Sequence, residues 1–377
     1  MIQNHNYIYT SYNNDIYYDI IINNMGHCES FKKPNKKEEI TTLTNNNNQQ
    51  KYTDNDICGI LNIGNNCYFN SGLQIIASCK ELIEELNKIK NTKGMIIIYL
   101  KNAINELLHN KIYNPENFLN YFCQKNYDFI KGIQCSSQDF IRTLIRNINS
   151  ELLSEYNEHN ANSYVVNKIN SYPQGKDFSS LEEFINNNNL YIESKIQSLF
   201  SGITKSYSQG TCIYCLNTIK HISYNFFIDI HIYLDSINTK QNFTDILKSN
   251  FGILDDLTIE CKNCHRENVI KSKTCFIKIP DILIFTLERN VGKANNIEIE
   301  PDEIIIMDDY LDNNLKTGNC YELFAINIKL GNDINFGHEI CQVKRNNIWY
   351  EIDDTTGRII NNKSYYDSSY GLFYRKI

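Results

Sequence analysis

The stretch from Cys58 to Gln74, C-G-I-L-N-I-G-N-N-C-Y-F-N-S-G-L-Q, constrains this chain more than any other. At Cys67 a loop of Gly and Asn gives way to the helical apolar pattern Leu73, Ile76, Ala77, Leu82. A cysteine in the first turn of a helix faces unpaired backbone N–H groups and the positive end of the helix dipole. Both stabilise the negative charge of a thiolate, which is the nucleophilic form. Gly64 permits a sharp turn just ahead of it, and Asn62 stands where a side-chain amide can meet the oxygen of a carbonyl under attack. Taken alone, Cys67 reads as readily as one buried cysteine among 13. A nucleophile needs a base, so a suitable histidine far downstream is the deciding feature.

With 377 residues the chain holds one large or two ordinary domains and an ample core. A net charge of −7 and a pI near 5.7 argue against nucleic acid and anionic membranes as partners and suit a basic partner surface. No apolar run approaches the ~18 residues of a membrane span, and the start lacks the basic-then-apolar order of a secretory leader. The cysteines, odd in number and unevenly spread, do not form a disulfide framework, so a reducing cytoplasm or nucleus is expected. Residues 1–56 are polar, rich in Asn and Tyr, and without a sustained period. They read as disordered, with docking of Ile20–Ile22 and the tyrosines on a partner as the alternative. Folded structure is expected over 57–377.

Helical periods follow. One stripe is Leu82, Ile83 and Leu86, and another is Tyr99, Ala103, Leu107 and Leu108. Pro115 is placed to open a helix carrying Phe118, Leu119 and Phe122, and a further helix spans Ser136 to about Asn157 with Phe140, Leu144, Ile148 and Leu152 on one face. Residues 160–198 read as an Asn-rich loop with one helix, Leu181 to Ile185. Beyond Phe200 the pattern turns to strands: Lys220 to Ile230, Cys275 to Ile279, Ile282 to Leu287, then Tyr321 to Lys329, Glu339 to Lys344 and Trp349 to Asp353. Two pairs lie in this region, Cys212-x-x-Cys215 and Cys261-x-x-Cys264, with 45 residues between them. Each pair can grip one metal through a tight knuckle, and together they complete a tetrahedral thiolate site. Four unliganded thiols are the alternative. His265 adds nothing to a set that four sulfurs already fill.

The run around Cys67 resembles the cysteine box of the ubiquitin-specific proteases, roughly G-L-x-N-x-G-N-T-C-Y-x-N-S-x-L-Q, with Asn66 in place of Thr. Gly337-His338 through Asp353-Asp354 resembles the histidine box of that family, G-H-Y-x-A-Y-V-K…W-Y-x-F-D-D, with Glu339 and Gln342 in place of its tyrosines. Strand alternation is expected to turn Glu339 to solvent. The segment Ile277 to Arg289 is similar to L-P-x-x-L-I-x-x-L-K-R, and Tyr370 to Arg375 to the closing A-Y-x-L-F-Y-x-R. Residues 135–141, C-S-S-Q-D-F-I, resemble a degraded Q-D-A-x-E-F-L motif. Asp139 stands there at the acid that in the family meets an arginine of the ubiquitin tail, and Ser136 replaces a second acid.

The resemblance implies an α+β, papain-like cysteine protease fold with a helical thumb, a β palm and zinc-bearing β fingers at roughly 201–280. Ubiquitin or ubiquitinated proteins would be the partner, engaged by a monomer, with the tail threading to Cys67. The implied activity is cysteine-type deubiquitination after the terminal glycine. Cys67 is then the nucleophile, His338 the acid–base and Asp353 its orienting acid. Asn62 would be the oxyanion donor and Asp139 a substrate contact. Cys212, Cys215, Cys261 and Cys264 would hold a structural Zn²⁺, with no cofactor for catalysis. An inactive ubiquitin-binding module, a protease for a ubiquitin-like modifier, and a zinc-ribbon protein without protease role are the rival readings.

Overall fold

The computed structural model describes residues 58–109, 112–159, 165–167, 178–188, 190, 192–234, 240–252, 254–289, 297–312, 318–331, 337–363 and 367–377. The expectations for residues 1–56 lie outside them. Five helices come first: α1 (Cys67–Ile76), α2 (Lys80–Lys88), α3 (Met95–Leu108), α4 (Glu116–Lys125) and α5 (Ser137–His159). The stripe Phe140, Leu144, Ile148, Leu152 on α5 is fully buried, as its spacing predicts, whereas Leu108 ends α3 exposed. Phe69 of α1 meets Phe140 with ring centroids 4.6 Å apart and Phe118 of α4 at 5.2 Å. Each such ring removes enough apolar surface from water to contribute about 1.5–3 kcal/mol, so this aromatic cluster fixes α1 against α5. Pro115 caps α4 one residue ahead of its first turn.

Residues 160–198 contain more structure than the sequence suggests. Strand β1 (Val165–Asn167) pairs with β2 (Ile192–Ser194), α6 (Phe178–Asn187) lies between them in the chain, and α7 (Lys195–Phe200) follows. Three-residue strands are too short to show a period of two. Ser194 opens α7 by accepting a hydrogen bond from the Gln197 N–H at 3.0 Å.

The fingers are a four-stranded antiparallel sheet, β3 (Gly202–Thr211), β4 (Thr218–Phe227), β7 (Asp255–Glu260) and β8 (Glu267–Lys278), ordered β4-β3-β8-β7. The remaining strands are β5 (Ile230–Tyr233), β6 (Lys240–Asn242), β9 (Ile282–Glu288), β10 (Glu298–Glu300), β11 (Ile304–Ile306), β12 (Cys320–Leu330), β13 (His338–Arg345), β14 (Ile348–Asp353), β15 (Thr356–Ile360) and β16 (Ser369–Lys376), with α8 (Phe243–Leu247) between β6 and β7. Most of them build the palm, ordered β15-β14-β13-β12-β16-β9-β5 with β11 on β12.

Both faces of the palm are covered. Ala325, Cys341, Val343, Ile352 and Phe373 pack toward the helices, while Leu283, Phe285, Ile326, Ile340 and Leu372 pack on the opposite side with Phe243 and Ile246 of α8. That explains why β9 reads as a nearly continuous apolar run. The helix carrying Cys67 lies over the strand that begins with His338, and Arg345 at the far end of β13 ties the two together. Its guanidinium donates to Gln74 Oε1 at 2.7 Å and Ser78 Oγ at 2.9 Å. No described helix is long and apolar enough to cross a membrane.

Candidate active site

Cys67 opens α1, is 3% exposed, and has no acidic side chain in its own first turn. The His338 imidazole lies near enough to the Cys67 thiol for its pKa to be raised by it, and its Nε2 donates to Asp353 Oδ1 at 2.6 Å. These two partners hold the imidazolium well above its ordinary range, to about 9, against the opposing pull of partial burial. Two distant chain segments, one carrying Cys67 and the other carrying His338 with Asp353 15 residues on, therefore bring a thiol, an imidazole and a carboxylate together. A base oriented by an acid and set beside a thiol is the arrangement from which nucleophilic catalysis can proceed.

The loop before Cys67 is held open by side-chain amides. Asn66 Oδ1 accepts from the Ile63 N–H at 2.7 Å and its Nδ2 donates to Asn70 Oδ1 at 2.8 Å. Gly64 and Asn65 take positive φ of 128° and 51° within this loop. Asn62 lies on the same loop. Its amide donates to Asp354 Oδ2 at 2.8 Å, and its oxygen accepts from the Gly64 N–H at 3.1 Å. Asn70 donates to the other oxygen of the same acid, at 2.8 Å. The neighbouring aspartates thus divide: Asp353 turns to the imidazole and Asp354 to the asparagines of the cysteine loop. Sequence reasoning missed Asn66 and Asn70 as site residues; polar positions four apart at the start of an apolar helix were the available signal. The two boxes also touch through backbone, since the Ile60 N–H donates to Asp354 O at 2.7 Å.

Glu339 does not face solvent. It is 5% exposed, and its Oε2 accepts from the Ser137 N–H at 3.1 Å and Asn327 Nδ2 at 3.2 Å, with the Ser137 hydroxyl also against it. Alternation fails as a guide because β13 has helices on one side and core on the other, leaving no solvent face. Burial raises the Glu339 carboxyl above its usual range. Gln342 is likewise buried and donates to Glu351 Oε2 at 3.0 Å.

Ser136 caps α5, its Oγ accepting from the Gln138 N–H at 3.2 Å. Asp139 is half exposed and pairs with Arg142 of its own helix at 2.8 Å. Arg142 also forks onto Asp229, at 2.6 Å and 2.5 Å. The acid expected to meet a substrate arginine therefore already has a cationic neighbour.

At the far end of the fingers Cys212, Cys215, Cys261 and Cys264 converge, all four sulfurs within 4.8 Å of one another. Each pair sits in a tight turn: the Leu216 N–H donates to Cys212 O at 2.9 Å and the His265 N–H to Cys261 O at 2.8 Å, with Leu216 and His265 at φ of 61° and 56°. Four thiolate donors on two matching knuckles fit the tetrahedral demand of a soft divalent metal. Two of the sulfurs belong to buried residues beneath Ile219 and Ile270.

A helical region packed on a two-faced palm, with a thiol, an imidazole and a carboxylate where they meet, defines a mixed α+β fold. The profile of the family described as "Ubiquitin carboxyl-terminal hydrolase" matches residues 58–374, and the chain belongs to that family. Relatives include "Probable ubiquitin carboxyl-terminal hydrolase 4" of Schizosaccharomyces pombe, 23% identical over 84% of this chain and 58% of its own length. "Ubiquitin carboxyl-terminal hydrolase 4" of Arabidopsis thaliana is 23% identical over 80% of this chain and 85% of its own. This chain thus spans little more than half of the first relative and most of the second. Among solved structures, the SAGA Ubp8/Sgf11/Sus1/Sgf73 DUB module bound to ubiquitin aldehyde aligns with a TM-score of 0.63 at 17% identity, covering 86% of this chain and 70% of that one.

Proposed function

We propose that residues 57–377 form a cysteine-type deubiquitinase that hydrolyses the bond after the C-terminal glycine of ubiquitin. The observation that carries this reading is the line from Cys67 through His338 to Asp353, with its 2.6 Å charged hydrogen bond. Cys67 attacks the carbonyl carbon, His338 gives its proton to the departing lysine amine, and Asp353 holds the imidazole in the productive orientation. Asn62 serves the oxyanion, its amide positioned through Asp354; removing such a donor typically lowers kcat by roughly a hundredfold to a thousandfold. Water then releases the acyl group with His338 as base. Asp139 contributes to reading the tail, sharing its charge between Arg142 and the incoming arginine.

The fingers, roughly 201–280, hold one Zn²⁺ through Cys212, Cys215, Cys261 and Cys264. Bound there, the ion supplies cross-linking at the fingertip and no chemistry to the distant thiol. Ubiquitin is the partner, bound by a monomer in the cytoplasm or nucleus.

Incubation with ubiquitin carrying a C-terminal alkyne electrophile tests the reading. Wild-type protein should gain one ubiquitin mass at Cys67, and Cys67→Ser none. Absence of labelling with retained binding would instead indicate an inactive ubiquitin-binding module. Labelling only by a ubiquitin-like modifier would change the substrate.

A further inference from the structure

Ser137 Oγ lies between the backbone carbonyl of Tyr68, at 2.8 Å, and the carboxyl of Glu339. Tyr68 is the residue after the thiol and Glu339 the residue after the imidazole. Ser137 itself is the first residue of α5 and wholly buried. One hydroxyl thus joins α1, α5 and β13 directly behind the reacting pair. Asn327 of β12 braces the junction, donating to Glu339 Oε2 at 3.2 Å and to Ser71 Oγ of α1 at 3.0 Å, while Gln138 Nε2 donates to Asn327 Oδ1 at 2.9 Å. The junction is buried, where hydrogen bonds are strong and a missing partner is expensive.

Both ends of the Ser137–Glu339 contact depart from the motifs that their segments resemble. The Q-D-A-x-E-F-L motif has Ala at the place of Ser137, and the G-H-Y box has Tyr at that of Glu339. The two departures meet each other.

We propose that Ser137 and Glu339 are positioning residues that fix the separation of Cys67 and His338 by bridging the residues next to each. The inference rests on the proposed role of that pair. A serine hydroxyl has one hydrogen for two acceptors. That hydrogen is offered to the Tyr68 carbonyl or to Glu339 Oε2, and the Ser137 N–H donates to the same Oε2, so the contact with Glu339 is kept in either case. The charged or titratable groups around Glu339 are Lys329 on β12, Cys135 ahead of α5, Tyr370 on β16 and His338 on its own strand. The bridge acts through geometry: small displacements of a reacting pair lower rates by up to about a hundredfold.

The test compares wild type, Ser137→Ala, Glu339→Ala, the double variant and Glu339→Gln in the full chain. Alkylation of Cys67 by iodoacetamide is followed by peptide mass spectrometry at pH 6 and pH 9, alongside kcat and KM for ubiquitin with a C-terminal fluorogenic amide and the thermal midpoint. Each alanine variant should slow alkylation at pH 6 about tenfold while changing the rate at pH 9 little, because only the former depends on a close imidazolium. Their kcat should fall in parallel with KM nearly unchanged, and the double variant should be no worse than the worse single one. Glu339→Gln, which keeps an N–H for Ser137 Oγ and an oxygen for the donors, should retain most of the wild-type ratio. Variants that lose thermal stability while keeping the wild-type pH 6 to pH 9 ratio would reduce the bridge to packing and overturn the proposal. If Glu339→Ala does not fold, Ser137→Ala, which removes a single oxygen, carries the same test. A wild type that alkylates rapidly at pH 6 but never cleaves ubiquitin would sink the substrate assignment and leave the bridge standing.

Discussion

Replacing Asp353 by Asn probes the site through a quantity that the structure sets. His338 carries its proton to about pH 9 because Cys67 and Asp353 both favour the imidazolium. An opposite charge at hydrogen-bonding distance raises a histidine by about 1–3 units. The side chains of His338 and Asp353 are 38% and 50% exposed, so solvent screens the pair and the lower end applies. The folded histidine lies above its unfolded value. The contribution of the ion pair is therefore complete below about pH 6.5 and is lost as the pH rises through about 9. In catalysis the imidazolium must protonate the leaving amine, so the alkaline limb of kcat/KM reports its loss. Asp353→Asn should move that limb down by about one unit. Asp354→Asn should behave differently: it turns one of the two oxygens that accept from Asn62 and Asn70 into an amide donor and should lower kcat while leaving the limb near 9. Hydrolysis of ubiquitin with a C-terminal fluorogenic amide, followed from pH 5 to 10 (roughly the span over which imidazole and thiol titrate), separates the two. An unmoved limb in Asp353→Asn, or an equal shift in both variants, would refute the division of labour between the adjacent acids.

Three further outcomes are expected. Replacing Cys212 and Cys215 by Ser should abolish bound zinc in metal analysis of protein purified without chelator and lower the thermal midpoint, while Cys67 stays reactive toward iodoacetamide. Gly59→Ala would drive a methyl group into the backbone of Thr355, which cannot rotate away; a loss of about 1–3 kcal/mol in urea unfolding, with slower labelling of Cys67, should follow. Because Asp139 already pairs with Arg142, Asp139→Asn should raise KM for ubiquitin substrates by less than about tenfold, and an unchanged KM would place tail recognition elsewhere.

Much of the fold was legible because its signals are local. The α5 stripe of Phe140, Leu144, Ile148 and Leu152, the apolar run of β9 and the helix starting at Cys67 each follow from spacing within a few residues. The cysteine pairs belong to the same kind, since two residues between thiols already define a knuckle. The short β1–β2 ladder was illegible for the converse reason.

The sequence by itself determined which groups could do chemistry: a cysteine opening a helix, a histidine opening a strand, adjacent aspartates closing the next, and four thiols in two pairs. Only the tertiary structure decided how they are shared out. Asp353 and Asp354 are chemically identical, and nothing short of the turn after β14 sends one to His338 and the other to Asn62 and Asn70. Glu339 belongs to a strand whose alternation points outward until helices on one side and core on the other remove the outside. Its partner Ser137 lies 202 residues away in the chain. Side-chain orientation along one strand is a local property, whereas solvent access depends on which elements fold over it, and that is settled only when distant segments pack.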